Sequence, residues 1–492
     1  MSIDYKNIAK QSAIPKASSM IETFRAIGYS LETAVADIID NSISAGAKKI
    51  RINRIWRGGK SIISIEDDGC GMNNDELVLA LCPGAQNPLE QRSKTDLGRF
   101  GLGLKTASFS QCRKLSVISR KEDYAPTYWS WDLDYIAQSD KWELVKWIPE
   151  EFEHLLDDKK SGTIVIWSDL DRIVSADTNV TNQNAQEKFS YSLDRVKQHI
   201  AMTFHRFIEN KSITIYWGEF PIESWNPFCL DEPATQVKPT DTIGFGSGAT
   251  MKGFVLPHKN QFSSEEAFKR AEGTNGWSAQ QGFYVYRGNR LLLAGDWLGL
   301  FRKEEHYKLV RIQIDIPNNL DFDWQIDIKK SKAYPPAKCI EQLRAYANDV
   351  RAAGCEVYRH RGKILKQRAG TCFQPLWLEK KKDDKWSFVV NRDHAMIQSI
   401  KLLAKDKPEQ AIEILLKFIE EAIPTETIYI DKAQNEVGQK QPYSDMDTDV
   451  VRNMLKTMYN NQLAQGMSNA QAKAFLKAVE PFNNYEDLID EL

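Results

Sequence analysis

"LETAVADIIDNSISAGAKKIRI", residues 31–52, joins a regular apolar pattern to an unusual polar face. Its apolar residues recur at the i, i+3, i+4, i+7 and i+8 spacing of one buried helical stripe, and they are Leu31, Ala34, Val35, Ile38 and Ile39. The "AGA" at 45–47 ends this helix, with Gly46 as the expected C-terminal cap. The following "KKIRINRI" alternates apolar and polar residues, which predicts a strand.

The other side of the helix carries short polar side chains. Asp37 and Asn41 are four residues apart, so they lie one above the other, away from the apolar stripe. A surface helix normally has long Lys and Glu side chains there, whereas Asp and Asn suit close contact with something small, such as a hydrated cation. A merely solvated face remains the alternative for this helix taken alone.

The composition narrows the class of protein. A chain of 492 residues predicts two to four domains, and 42% hydrophobic with 27% charged residues is typical of soluble globular proteins. We find no apolar run long enough to span a bilayer and no secretion signal at the N-terminus. Seven scattered cysteines without a C-x-x-C pair favour reduced thiols in the cytoplasm over disulfides or a zinc site. With 65 basic and 67 acidic residues, the net charge neither demands nor excludes nucleic acid.

A second motif follows the predicted strand "SIISIED". Asp67 begins the D-x-G-x-G pattern "DDGCG", in which Gly69 and Gly71 allow a sharp turn and a close approach to a flat ligand. A carboxylate at the end of the strand would accept a hydrogen bond from an exocyclic amine. A plain turn is the alternative for this motif by itself.

Two weaker motifs lie further along the chain. Gly98, Gly101 and Gly103 precede a helix that we expect to begin near Leu104, so their N–H groups would form a phosphate cradle. Their G-x-x-G-x-G order differs from the dinucleotide fingerprint, and no P-loop follows. The last motif, Gly162 and Thr163, opens an alternating strand and would add a hydroxyl to the carboxylate of Asp67.

Taken together, the four motifs at residues 31–170 resemble the GHKL ATPase superfamily of gyrase-type topoisomerases, heat-shock chaperones, MutL proteins, sensor histidine kinases and MORC proteins. The segments "DNSISAGA", "DDGCGM" and "GLGLKTAS" are similar in style to its prokaryotic MORC-like and MutL-like branch. The resemblance implies an α+β fold. We expect a Bergerat-type ATPase sandwich of helices on a mixed sheet, an α+β transducer-like domain and a helical C-terminal region.

The resemblance also assigns roles to individual residues. Asn41 would bind Mg²⁺, Asp67 would accept the adenine amino hydrogen, and Lys105 would meet a phosphate oxygen. Asp37 would be the general base, and Lys330 would reach the γ-phosphate. The residues expected at the nucleotide are Asn41, Ala45, Asp67, Gly69, Gly71, Met72, Gly98, Gly101, Leu102, Gly103, Leu104, Lys105 and Thr163.

One of these residues departs from the superfamily pattern. The water-activating residue is usually Glu, and here it is Asp37, one methylene shorter. Glu32 cannot replace it easily, because nine residues at about 100° each place it roughly half a turn away from Asn41. We therefore expect slow turnover. The polar segment 83–97 would be the ATP lid.

The pattern changes near residue 176. We expect domains at 1–175 (ATP-binding, with an N-terminal arm and the lid), 176–335 (transducer-like), 336–400 (long helix and basic linker) and 401–492 (helical). The second would include a helix over 185–208, the strand "SITIYWG" at 212–218 and a hairpin at "RGNR", where Gly288 and Asn289 suit a two-residue turn. Lys329 and Lys332 are alternatives to Lys330 for the contact with the γ-phosphate. A solvated lysine run at a domain edge is the other interpretation of this segment.

The function implied by the resemblance is an ATP-gated dimeric clamp acting on DNA, in prokaryotic repair or anti-phage defence. Residues 359–385 contain nine basic and three acidic residues, a local net charge of +6 that would suit the phosphate backbone, although a solvated helix end explains it nearly as well. We find no nuclease motif, so a nuclease or helicase would be a separate partner chain. A chaperone-like ATPase acting on a protein partner is the alternative function.

Overall fold

The computed structural model describes residues 11, 15–84, 103–244, 248–317, 320–321, 323–327, 333–367, 376–382, 385–423, 447–479, 482 and 485–492. For 358–367, 379–382 and 385–387 it describes the backbone alone. The chain divides into two compact units, residues 1–357 and 358–492.

The first unit contains a seven-stranded mixed sheet with the order β4-β3-β5-β2-β1-β6-β7. Its neighbouring strands are antiparallel except for the parallel pair β1 and β6. The strands are β1 (Lys49–Ile55), β2 (Ile62–Asp67), β3 (Lys114–Arg120), β4 (Thr127–Asp132), β5 (Gly162–Ser168), β6 (Thr214–Trp217) and β7 (Phe220–Pro221).

Both faces of this sheet are covered. The main core joins one set of strand residues to the helices, and the alternate residues of β2, β3 and β5 pack with 148–156 in a smaller cluster on the other face. The helices are α1 (Ala17–Arg25), α2 (Leu31–Ser44), α3 (Asn74–Leu81), α4 (Gly103–Phe109), α5 (Leu133–Ser139), α6 (Gln183–Thr203) and α7 (His205–Glu209). This arrangement of helices on a mixed sheet confirms the predicted α+β fold.

Helix α2 matches its sequence pattern closely. The side chain of Ser30 accepts a hydrogen bond from the Thr33 N–H and caps the first turn. Ile38 and Ile39 are fully buried in the main core. Gly46 follows the end of the helix with φ +78°, the left-handed geometry that terminates helices.

Strand β6 corrects one expectation. The sequence analysis assigned 212–218 to the second domain, but β6 pairs with β1 in the first sheet. The reason lies in α6, whose apolar residues Phe189, Leu193 and Val196 are buried in the first core, so the chain returns beside β1.

The second sheet of this unit has five strands in the order β11-β10-β12-β9-β8. They are β8 (Gln236–Ile243), β9 (Ala249–Val255), β10 (Gly282–Arg287), β11 (Arg290–Asp296) and β12 (Val310–Ile316), with helix α8 (Glu265–Glu272) between β9 and β10. Arg311 on β12 is fully buried between Trp225 and Trp277, and its guanidinium donates to the Ala271 carbonyl at 2.7 Å.

Helix α9 (Ile340–Gln367) follows the second sheet and packs on it. Leu343, Ala347 and Val350 are buried, and the Tyr346 hydroxyl accepts from the Gly253 N–H of β9 at 2.8 Å. The second unit contains the hairpin β13 (Trp377–Lys382) and β14 (Lys385–Val390), then α10 (Ala395–Asp406), α11 (Pro408–Glu421), α12 (Thr448–Ala464), α13 (Asn469–Ala478) and α14 (Glu486–Asp490). In the part of the chain that the structure describes, every helix is too short or too polar to cross a bilayer.

Candidate functional site

The polar face of α2 divides into buried and exposed residues. The side chains of Asp37 and Asp40 are buried, at 3% and 0% exposed, although both are charged. Asn41 is exposed. The motif therefore presents one amide outward and keeps two carboxylates inside, where each needs a partner.

The end of β2 places Asp67 beside α2. One carboxylate oxygen accepts from the Ser42 hydroxyl at 2.8 Å and the other from the Gly69 N–H at 2.9 Å. Burial raises the pKa of Asp67, and the hydrogen bonds from Gly69, Ser42 and the Thr163 N–H partly oppose that rise. The carboxylate is thus held in a fixed orientation by three elements: α2, the turn after β2, and β5.

The two glycines after Asp67 are required by protein contacts. A Cβ on Gly69 would lie 2.9 Å from the Ala45 Cβ, and one on Gly71, whose φ is +63°, would lie 1.8 Å from the Arg120 carbonyl oxygen. The Cys70 N–H donates to the Ala45 carbonyl at 3.0 Å. These contacts fold the turn tightly against the end of α2.

Two further site residues close this turn from the β3–β5 side. The Met72 N–H donates to the Ser119 hydroxyl at 2.8 Å, and that hydroxyl also lies 2.9 Å from the Thr163 hydroxyl. Thr163 pairs with Asp67 in the β2–β5 ladder. Thr163 is therefore the cross-strand neighbour of Asp67, and its hydroxyl lies against the Ser119 hydroxyl.

The carboxylate of Asp37, on α2, lies near Gly103, the first residue of α4. The Tyr29 hydroxyl donates to its Oδ2 at 2.9 Å, and an Arg290 guanidinium nitrogen lies 3.7 Å from its Oδ1. A Cβ built on Gly103 would be 3.7 Å from Oδ2. Burial, and after it the charge of Asp37, raises the pKa of Tyr29, so the phenol keeps its proton and donates it.

Glu32, the other carboxylate considered on this helix, points elsewhere. Its Oε1 lies 3.0 Å from an Arg195 guanidinium nitrogen on α6. The structure thus agrees with the helical-wheel argument that Glu32 does not share the face of Asn41.

The sequence analysis expected Lys105 at a phosphate oxygen, whereas in this structure its ammonium group contacts a protein carbonyl. It is 3% exposed, and its Nζ donates to the Ala80 carbonyl at the end of α3, at 2.9 Å. Burial lowers the pKa of this lysine to about 8. Leu104 beside it packs partly buried against the core.

Several predicted residues lie outside the described part of the chain: Gly98, Gly101, Leu102, Lys329, Lys330, Lys332 and lid residues 85–97. Asp327, the last described residue before the lysine run, is close enough to Tyr29 for its charge to contribute to the raised pKa of that phenol.

Sequence reasoning missed three contributors to this site: Tyr29, Ser42 and Arg290. Ser42 lies inside the quoted motif and faces Asp67, one residue after Asn41, so its position on the helix was a usable signal. Tyr29 precedes the helix and has no pattern to mark it. Arg290 belongs to the "RGNR" turn, where only the glycine and asparagine drew attention.

Comparison with known proteins agrees with this geometry. Residues 29–163 match the family model "Histidine kinase-, DNA gyrase B-, and HSP90-like ATPase". Among curated proteins, the DNA mismatch repair protein MutL of Citrobacter koseri is 36% identical over 100 residues, covering 20% of this chain and 16% of the relative. MutL of Escherichia coli is 39% identical over 92 residues (18% and 14%), and MutL of Haemophilus influenzae is 37% identical over 95 residues (18% and 15%).

The matched segments thus span only 14–16% of the length of these three relatives. Residues 29–163, which the family model covers, supply α2, the turn after β2, strands β1 to β4 and the start of β5. Residues 29–163 are therefore similar to the ATP-binding domain of the GHKL superfamily, and the chain has partial similarity to its MutL-like branch.

Proposed function

We propose that this protein binds ATP with Mg²⁺ in the cleft between α2, the turn after β2 and the start of β5, and hydrolyses it slowly. The observation that carries the proposal is Asp67, a buried carboxylate with both oxygens fixed by hydrogen bonds, beside the exposed amide of Asn41. An oriented carboxylate selects a purine that offers an amino hydrogen over one that offers a carbonyl.

The donors present fit magnesium. Among the described residues, no cluster of three His, Cys, Asp or Glu side chains could hold a metal unaided. Mg²⁺ commonly uses one or two protein oxygens together with substrate phosphates and water, and the exposed Asn41 oxygen suits that arrangement. When bound, the ion would offset the charge of the phosphates.

Asp37 is our candidate for the general base, which would take a proton as water attacks the γ-phosphate. Its carboxylate accepts a hydrogen bond from Tyr29 and faces the Arg290 guanidinium. Its side chain is one methylene shorter than the usual Glu and reaches less far toward the attacking water, which is the reason for expecting slow hydrolysis. Lys330 would approach from the segment after Asp327.

The experiment that tests these roles compares the ATPase rate and the ATP Kd of variants in α2. Asp37→Ala should abolish steady-state ATPase while the ATP Kd stays within about threefold, because the base contributes to chemistry and not to ground-state binding. Asn41→Ala should weaken Mg-ATP binding itself. Glu32→Gln is the control and should retain the wild-type rate, since Glu32 faces α6. An unchanged rate in Asp37→Ala beside a dead Asn41→Ala would refute the assignment.

At the level of the whole protein, we propose an ATP-gated homodimeric clamp on DNA, in prokaryotic repair or anti-phage defence and with a nuclease or helicase on a separate chain. Three relatives that match the ATP-binding segment are named DNA mismatch repair proteins, which supports this choice. The basic residues in 359–385 would contact the phosphate backbone. The genes beside this one provide a first check, since a nuclease or helicase there would identify the process.

The clamp is tested by DNA binding at several salt concentrations, with and without a non-hydrolysable ATP analogue. We expect the analogue to strengthen binding and log K to fall linearly with log salt. Replacing Lys380, Lys381 and Lys382 with Gln should make that slope shallower by about 3, near one per lost phosphate contact. No affinity for DNA at low salt, with or without the analogue, would exclude the clamp on DNA and leave a protein substrate.

A further inference from the structure

One arginine of the β10–β11 hairpin in the second sheet contacts helix α2. Arg290, at the first position of β11, is 3% exposed. Its Nε donates to both carboxylate oxygens of Asp40, at 2.9 and 2.7 Å, and a terminal guanidinium nitrogen lies 3.7 Å from Asp37. One guanidinium therefore binds two carboxylates of α2 from a strand 250 residues further along the chain.

The position of Asp40 gives this contact its significance. Asp40 follows Asp37 by three residues, so the two carboxylates are neighbours on α2, while Asn41 lies one residue, about 100°, further round the helix. Asp40 is completely buried. Its carboxylate contacts the hairpin, whereas the Asn41 side chain is exposed.

Two further residues, Phe204 and His199, lie near the Arg290 guanidinium. The Phe204 ring lies 5.9 Å from its central carbon, and His199 on α6 is close by. Burial, and after it the charge of Arg290, lowers the pKa of His199 to about 4. The histidine is therefore neutral at physiological pH, so the described ionic contacts of the Arg290 guanidinium are those with Asp37 and Asp40.

Among the described residues, two other charged groups lie near these side chains. Lys105, on α4, donates from its ammonium group to the Ala80 carbonyl. Asp327 acts on Tyr29, which in turn donates to Asp37. Arg290 is the described cation of the second sheet that contacts both Asp37 and Asp40.

We propose that Arg290 is a positioning residue for ATP hydrolysis, which fixes the base on α2 relative to the second sheet and makes hydrolysis depend on where that sheet lies. The inference rests on the proposed ATPase function. A catalytic group displaced by about 1 Å loses on the order of a hundredfold in rate, so a rigid buried link of this kind would control turnover without touching the nucleotide.

The test measures kcat and the ATP Kd separately. Arg290→Met should lower kcat per folded molecule by about 10- to 100-fold, with the Kd within about threefold of wild type, because the adenine contacts at Asp67 are unchanged. Arg290→Lys keeps the charge and should recover part of the rate. Arg311→Met is the matched control: it removes a buried arginine of the same sheet whose contacts are to Pro227 and Ala271, and its kcat per folded molecule should equal that of wild type.

Removal of Arg290 alone takes away the cation that contacts the buried Asp40 carboxylate, which destabilises the fold. The double variant Asp40→Asn with Arg290→Met removes both charges, and it should fold, bind ATP and show the same loss in kcat. A wild-type kcat in this variant, or losses of kcat and ATP binding in proportion, would overturn the inference. Failure of the wild-type protein to bind or hydrolyse ATP would instead overturn the proposed function, and that measurement comes first.

Discussion

At the scale of single residues, Gly71 shows how a motif glycine can serve the fold. The D-x-G-x-G pattern suggested room for a ligand, but the close neighbour of Gly71 is the carbonyl of Arg120 on β3. The glycine allows the turn to lie against β3 and β5, and this contact keeps Asp67 in its orientation. The requirement for glycine is therefore set by protein contacts.

We predict that Gly71→Ala destabilises the first unit by about 3 kcal/mol or more, since it combines φ +63° with a Cβ 1.8 Å from an oxygen. Gly46→Ala is the control, because Gly46 has φ +78° but nothing within 4 Å of its added Cβ. It should lose only about 1 kcal/mol. Urea denaturation measures both, and equal losses would show that the contact with Arg120 does not matter.

Lys105 shows what a local pattern cannot reveal. The sequence places a lysine just inside a helix after a glycine-rich loop, and the phosphate role follows from that position. Which way the side chain points depends on α3, whose last carbonyls offer an acceptor nearby. The choice between Ala80 and a phosphate is a matter of tertiary packing, so it has to be measured.

We predict that ATP binding at pH 8 takes up about half a proton through Lys105 if this lysine moves to a phosphate. Its pKa of about 8 leaves it half protonated at that pH, and an adjacent anion favours the charged form and raises the pKa. Calorimetry in two buffers of different ionisation enthalpy measures the uptake, with Lys105→Met as the reference. Identical uptake in both proteins would mean that Lys105 stays on the Ala80 carbonyl.

At the scale of elements, α3 follows the glycine turn at 69–71 and has a well-defined first turn. Its N-terminus has a complete capping box: the Asn73 side chain accepts from the Asp75 and Glu76 N–H groups, and Glu76 accepts from the Asn73 N–H. This cap fixes where the helix begins after the glycine turn. The end of α3 then supplies the acceptor for Lys105.

We predict that Asn73→Ala lowers the free energy of unfolding by about 1 kcal/mol, the usual loss for a missing N-cap. Asn73→Ser retains an acceptor at the same position and should lose little. Thermal and urea denaturation would measure both variants. A loss of equal size in the serine variant would indicate that Asn73 acts through something other than its cap.

Elements whose signals are local were predictable from the sequence. The stripe of α2, the turn at 67–71 and the strand β1 depend on neighbours in the chain, and they lie where expected. Contacts set by topology were not: β6 joins the first sheet because α6 packs there, Arg311 is buried between two tryptophans, and Arg290 reaches Asp40. Each of these contacts joins residues that are far apart in the sequence, so no hydrophobic periodicity predicts it.

At the scale of the whole molecule, the described site residues and their partners all lie in the first unit. Asp37, Asn41 and Asp67 come from the first sheet and its helices, and Arg290 comes from the second sheet of the same unit. Helix α9 then covers the second sheet through Leu343, Ala347 and Val350. A fragment with a complete α9 therefore contains every described contact at the site.

We predict that residues 1–367 fold alone and bind ATP with a Kd within about twofold of the full chain, because truncation there leaves the buried contacts of α9 intact. Residues 1–335 are the control. Without α9 they expose the apolar surface under Leu343 and Val350 and leave the Gly253 N–H without the Tyr346 hydroxyl, so this fragment should melt at lower temperature or aggregate. Calorimetry and thermal melts distinguish the two. Loss of ATP binding in a folded 1–367 fragment would mean that residues 368–492 contribute to the nucleotide site.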